Sequence, residues 1–456
     1  MGGWGIINSS QKDVRGRLRH RALFGCGLVL GLAAVPAASF AQSADPYSSD
    51  LFGSWGLVRP VLADHGVNIN LDFITQTAGD VSGGMRQGFD YAQQIGFSAD
   101  IDWSKLAGIP GFSTHMVVIS RAGRNVSADY TGDNVIQLQD IYGSFNEAAR
   151  LAFLFSEEKL AGNAVDITAG RMPIQLDFDS SPLYCDFMTG ALCGDPRAIS
   201  ATPGVTPFPV ATWAGRMRIS PSPQFYVMAG LYEDNPADGG RSGFDWSTDG
   251  ADGVTVPVEI GYTPSFGPDK LPGHYKIGVI HSTADAPDYY YDENGNPAVL
   301  TGLPPRQDHG ATAFYVLADQ MLQRHGPGDD NGLILLGGYE HTSSDVSLFQ
   351  NSAFAALLDK GLFPSRPNDT AGMMFTYINV SSQLAAAEKL EAQYDLPYSG
   401  GATGVQGNEE ILEMNYDIAA YRGISIMPDI QYIIHPGATS TYRNALVVGL
   451  KTHIFF

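Results

Sequence analysis

From residue 67 onward, apolar and polar side chains alternate with a period of two. Val67, Ile69, Leu71 and Phe73 are separated by Asn68, Asn70 and Asp72; Ile95, Phe97, Ala99, Ile101 and Trp103 are separated by Gly96, Ser98, Asp100 and Asp102. The pattern returns in Val165, Ile167 and Ala169 against Asp166 and Thr168, and in Phe225, Val227, Ala229 and Leu231 against Gln224, Tyr226 and Met228. Near the end of the chain, Leu412, Met414, Tyr416 and Ile418 alternate with Glu413, Asn415 and Asp417. A helix needs a period near 3.6 and is disfavoured by the glycines in these runs. The alternation therefore predicts strands with one face towards an apolar medium and the other towards a polar lumen.

Sixteen strands are predicted, over 67–77, 91–103, 111–121, 134–144, 149–156, 164–171, 209–220, 223–233, 254–263, 274–283, 311–322, 332–342, 371–381, 410–420, 424–434 and 443–456. An even count, with lengths near the ~9–11 residues of a tilted crossing strand, points to an all-β fold: a transmembrane antiparallel β-barrel of about 16 strands with a short N-terminal helix. Short turns and long loops should then alternate, and they slip around 157–172 and again around 343–409, so at least one strand there is out of place. The longest connections, 172–208, 234–253, 284–310, 343–370 and 382–409, are rich in Gly, Pro, Asp and Asn, as exposed loops are. Residues 383–393 predict a short helix. A second is predicted at about 51–65, where Trp55 and Leu62 either pack on the periplasmic end of the barrel or lie in the interface.

The first 41 residues read differently. Arg15, Arg17, Arg19 and Arg21 precede an apolar stretch from Ala22 to Ala38, and Ser39, Phe40 and Ala41 follow it. This is the layout of a secretory signal peptide cleaved after Ala41; the apolar run is short for a membrane anchor and contains Pro36. The expected division is a signal peptide over 1–41, an N-terminal periplasmic, partly helical segment over 42–66, and the barrel over 67–456. No later segment approaches the ~20 continuous apolar residues of a membrane helix.

Composition agrees. Charged residues are 16% of the chain and aromatics 11%, with 53 glycines, a mixture suited to an apolar outer wall, aromatic girdles and glycine-rich turns. The net charge of −21 becomes more negative once the basic leader is removed. It argues against a nucleic-acid partner, which needs a basic face.

After export, the chain keeps Cys185 and Cys193, close together in one loop and in an oxidising compartment. They are expected to form a disulfide; two thiols without a nearby histidine pair make a weak zinc pattern. No metal site and no cofactor is predicted. The stretches Asp245 to Gly253 and Asp292 to Asn296 carry clustered oxygens but not the full spacing of a calcium loop, and read as acidic hairpin tips. No G-x-S-x-G, H-E-x-x-H, P-loop or strand-linked G-x-G-x-x-G motif is found, so no catalytic residue is assigned.

At the C-terminus, Leu446, Val448, Leu450, Ile454 and Phe456 share one parity, interrupted by Thr452. A terminal aromatic on such a strand resembles the signal read by the outer-membrane assembly machinery. Several blocks also resemble the carbohydrate-selective porin family, the OprB-like porins. Leu51, Gly53, Trp55, Gly56, Arg59, Leu62, Ala63 and Gly66 fit its first pattern, with Leu57 where a second Gly is common. Cys185, Phe187, Cys193, Gly194 and Pro196 fit a second, and Gly361-Leu362-Phe363-Pro364 with Arg366 and Asp369 a third. Glu410, Glu413, Tyr416, Pro428-Asp429, Gln431-Tyr432 and Pro436-Gly437 are similar to its C-terminal signature. Together they span 51 to 456, and their order is more specific than any one block. The resemblance implies a sixteen-stranded barrel in the cell outer membrane, with a narrowed polar pore passing glucose and other small carbohydrates.

On that footing the candidate pore residues follow from strand parity. Trp213, Met217 and Ile219 alternate with Arg216 and Arg218. A lipid-facing arginine costs about 2–4 kcal/mol at the midplane, so both arginines are expected in the lumen. Tyr226 and Tyr232 on the next strand are expected to offer ring faces to a sugar, and Asp72, Asp100, Asp102, Glu259, Glu413 and Asp417 to line an acidic wall that favours cations. Two other readings stand beside the pore: an outer-membrane barrel enzyme with a Ser/His pair at one rim, and an adhesive or structural barrel with a plugged lumen. The partners expected are small carbohydrates, the lipid bilayer with its lipopolysaccharide, and the assembly machinery. A homo-oligomer is compatible, though nothing in the sequence marks a subunit interface.

Overall fold

The structure is a computed structural model and describes residues 49–456 except 142–145, 241 and 329. The predicted signal peptide lies outside the described residues. The wall strands are β1 (Val67–Gly84), β2 (Gly88–Asp102), β3 (Phe112–Gly123), β4 (Glu147–Leu160), β5 (Val165–Met172), β6 (Thr212–Ser222), β7 (Phe225–Asp234) and β8 (Gly253–Tyr262). After a two-residue β9 (Ser265–Phe266) in a turn come β10 (Leu271–Asp292), β11 (Pro305–Arg324), β12 (Gly332–Thr342), β13 (Phe349–Lys360), β14 (Thr370–Val380), β15 (Asn408–Tyr421), β16 (Ile424–Ile434) and β17 (Arg443–Phe455). Each pairs antiparallel with its neighbours, and β1 pairs with both β2 and β17, so the sheet closes. Closure leaves no open edge to satisfy in lipid. No helix among the described residues is long and apolar enough to cross a membrane; the sixteen long strands do.

The outer face is apolar. Ile95, Met217, Val227, Ile260, Ile277, Val316, Leu335, Met373, Leu412, Ile430 and Leu450 are all exposed, and β7 alternates exposed and buried residues along its length. Strands β10 and β11, at 22 and 20 residues, run well beyond the ~9–11 that a membrane requires. Much of the connection expected over 284–310 is thus strand, ending in a hairpin with α4 (Ala298–Thr301).

Two strands differ from the reading of the sequence. Residues 134–141 form no strand; they belong to a segment folded into the lumen, and the rest of that expected strand includes residues outside the description. Conversely, β13 was expected to be loop. Its inward residues Phe354, Ala356 and Leu358 are buried and its outward ones, Ala353, Ala355 and Leu357, are apolar too, so the run shows no alternation. One false strand and one missing strand account for the two slips in loop order.

The remaining helices sit at the ends. Of 51–65, only α1 (Val58–Asp64) is helical. Its buried Arg59 donates to Asp50, to Asn70 Oδ1 at 2.5 Å and to the backbone oxygen of Phe456 at 3.0 Å, with the guanidinium 5.1 Å from the Trp55 ring. The Trp55 and Arg59 block therefore fastens the N-terminal segment to the end of β17. Helix α2 (Trp103–Ala107) occupies a turn at the same end. The helix expected over 383–393 is α5 (Ser382–Gln393), capped by the Ser381 hydroxyl, which accepts from the backbone N–H groups of Gln383 and Leu384.

Candidate pore and its constriction

Two connections fold into the barrel: residues 124–141 of the one between β3 and β4, and 173–211 between β5 and β6, which carries α3 (Arg197–Ser200). Their side chains explain it. Val126, Ile136, Leu138, Phe178, Phe187, Met188, Leu192 and Ile199 are fully or almost fully buried, packed against inward wall residues such as Phe349, Phe354, Ile378, Tyr232 and Tyr315. The two segments also bond each other, the N–H of Asp140 donating to Met188 O at 3.1 Å and that of Gly190 to Gln137 O at 2.8 Å. The sulfurs of Cys185 and Cys193 are joined within the second segment.

Backbone groups taken away from water must find partners, and the wall supplies them. Glu413 on β15 accepts from the N–H groups of Met188 and Thr189, at 2.5 and 3.1 Å. Glu340 on β12 accepts from those of Ala198 and Ile199, at 2.7 and 3.3 Å. Lys276 donates to Ser180 O, Lys451 to Cys185 O, and Gln431 to Leu138 O. A sixteen-stranded barrel alone leaves a wide aqueous channel; these segments, pinned at both charge signs, narrow it.

The inner faces of β17 and β1–β6 carry paired charges along one arc. His453 approaches Asp72 at 3.1 Å, His115 lies 2.6 Å from Asp100, Lys159 pairs with Glu157 at 2.8 Å, and Arg216 pairs with Asp166 at 2.8 Å and with Asp177 of the second segment at 2.9 Å. Next to them, the Arg218 guanidinium sits 3.8 Å from the centre of the Tyr226 ring. Donors and acceptors thus alternate along the polar wall.

The positions of the residues named from sequence divide into three groups. Arg216, Arg218, Asp72 and Asp100 lie on the inward parity and within this charged arc. Tyr226, Tyr232, Glu259 and Glu413 are inward but buried: the Tyr226 and Tyr315 hydroxyls donate to Glu259 at 2.5 and 2.6 Å, and Tyr232 is covered edge-on by Phe178. Their ring faces and charges are occupied by protein, which corrects the expectation of open aromatic faces at Tyr226, under Arg218, and at Tyr232, and of a water-facing acidic wall at Glu259 and Glu413. Asp102 lies at the end of β2, where its carboxylate caps α2 by accepting from Ser104 N at 2.9 Å; Asp417 is half-buried on β15. Glu340, Lys276, Lys451 and Asp177 were not singled out from sequence. The available signal was an acid or lysine at an inward position among apolar inward neighbours, as Glu340 stands after Ile334 and Leu336. At the rim opposite the chain termini, a cavity of about 800 Å³ opens between residues 200–205 and 287–305, bordered by Val346 and Ser399.

Comparison with known proteins matches this architecture. The family described as carbohydrate-selective porin, OprB family, matches residues 86–456. Porin B of Pseudomonas aeruginosa is 29% identical over 446 residues, covering 95% of this chain and 97% of its own. Among solved structures, the high-pH structure of Pseudomonas putida OprB aligns with a TM-score of 0.84 at 30% identity, covering 90% of this chain and 99% of its own. Salmonella typhi OmpF in complex with daunomycin, at a TM-score of 0.52 and 11% identity over 86% of this chain and 99% of its own, shares the fold alone. A closed barrel with an apolar belt, a lumen narrowed from within and a match over most of its length together show that this chain belongs to the carbohydrate-selective porins of the OprB family, in the outer membrane.

Proposed function

We propose that the pore passes glucose and other small neutral sugars down their gradients, selecting by width and by hydrogen bonding at the constriction. The observation that carries this is the charged arc on β17 and β1–β6 beside the two inward segments. A sugar hydroxyl can both donate and accept, so it exchanges water for such a wall without bringing a charge of its own. Arg218 supplies a planar donor, Arg216 holds the segment that sets the width, and the acids beside them supply acceptors. The barrel acts as a channel and not as an enzyme. In the same reading, residues 1–41 direct export and are removed after Ala41, 42–66 remain on the periplasmic side, and 67–456 contact lipid, lipopolysaccharide and the assembly machinery.

Planar-bilayer recording tests the reading. Stable stepwise openings are expected, with the ion current reduced as glucose is added and reduced less when Arg218→Ala is recorded. A barrel that inserts but gives no steps, or whose current ignores glucose, contradicts it.

A further inference from the structure

At the places where the inward segments meet the wall, carboxyl groups are set against each other. The carboxyl of Asp133 of the first segment lies against that of Glu409 of β15, and the carboxyl of Asp179 of the second against that of Glu340 of β12. All four residues are at most 3% exposed. Each pair also anchors backbone: Asp133 accepts from the N–H groups of Val135 and Ile136, Glu409 from those of Gly437 and Ala438, and Glu340 from those of Ala198 and Ile199. Beyond the contact between the carboxyls, both oxygens of Asp179, Oε1 of Glu340, Oε1 of Glu409 and Oδ2 of Asp133 have no partner.

These acids share a counter-charge. Arg197 of α3 is the guanidinium that faces Asp133, Glu409, Glu340 and Asp195 together; it donates to Val135 O at 3.2 Å and lies 5.5 Å from the Phe349 ring. Asp179 also faces Asp195 and Glu259, and the hydroxyls of Tyr184 and Tyr315 lie in the same field. Two carboxylates in contact, away from water, cannot both be ionised.

Resting on the pore reading above, we propose that Asp133–Glu409 and Asp179–Glu340 are positioning pairs for the constriction, each holding one shared proton that keeps an inward segment against the wall. Loss of the proton places two negative charges in contact. The segment then has only the lumen to move into, so the pore narrows and flickers as pH rises.

The test is single-channel recording of the full-length barrel at about pH 6 and about pH 9.5, without divalent ions. In the wild type, the mean open current is expected to fall roughly twofold at the higher pH. Asp179→Asn with Glu409→Gln puts an amide donor where each proton sits, and is expected to keep the pH 6 current at both values. A flat wild-type profile overturns the proposal, as does a variant that falls as the wild type does. If EDTA alone lowers the wild-type current at pH 6, the pairs hold a cation and the proton is refuted. Hydrogen exchange read on the wild type covers a variant that fails to fold: amides of Met188 to Ile199 should exchange faster at the higher pH than the intrinsic rate explains, and unchanged protection counts against the latch. A barrel with no steps at any pH contradicts the pore reading itself, whereas pH-independent steps contradict this inference alone.

Discussion

Arg216 joins the wall to the crossing segment, with Asp166 on one side and Asp177 on the other and its own side chain 7% exposed. Removing it leaves two largely buried carboxylates without a counter-charge, which typically costs about 3–5 kcal/mol. Arg216→Ala is therefore expected to lower the temperature at which the folded barrel converts to the slower-migrating form on a gel, and to raise the permeation of glucose and of a neutral solute of similar size together. A lysine presents a point charge and not a planar fork, so Arg216→Lys should recover only part of the loss. Unchanged melting in Arg216→Ala would show that the two ion pairs are not held in solution. The direction of this side chain was legible in the alternation of 212–219, because lipid excludes an arginine. Its second partner was not, since Asp177 lies in a segment whose path depends on contacts made across the lumen.

The elements that sequence patterning misplaced share one cause. Alternation reports a strand only where its two faces meet different media. Strand β13 meets lipid on one face and the apolar inward segment on the other, and so shows no alternation. Val135, Ile136, Leu138 and Ile141 are buried inside the barrel, and their spacing among polar residues imitates a strand. Helix α5, by contrast, was legible from its Ala, Glu, Lys and Leu content, because it forms from local propensity and a serine cap. It carries a titratable group. Glu388 is buried and accepts from Gln406 N at 2.6 Å; burial pushes its carboxyl up to about 7, with the N–H of Gln406 opposing and the nearby Glu391 adding to the rise. Because the folded value lies above the ordinary 4.5, stability is full below that value and declines as pH climbs towards 7 and past it. Amides of residues 399–407 should lose protection between about pH 5 and about pH 8 beyond the intrinsic change, and Glu388→Gln should remove that pH dependence. Equal protection at both values in the wild type would contradict the assignment.

At the scale of the molecule, sixteen crossing strands define a barrel wide enough for water, and two segments decide what else passes. The apolar belt outside and the paired charges inside follow from one rule applied to opposite faces of the same strands. Inward folding follows from another: a loop rich in Phe, Leu, Ile and Met buries those side chains wherever the wall offers an apolar patch, provided its backbone groups find partners. The family blocks around Cys185 and Glu413 lie at such a meeting of loop and wall. Liposome swelling with the purified barrel tests the central claim, that this is a sugar pore narrowed from within, most directly. In isotonic glucose the vesicles should swell quickly, and with the tetrasaccharide stachyose roughly tenfold or more slowly, since width and wall contacts both discriminate against it. Equal rates for the two sugars, or glucose swelling no faster than in protein-free vesicles, would contradict the account.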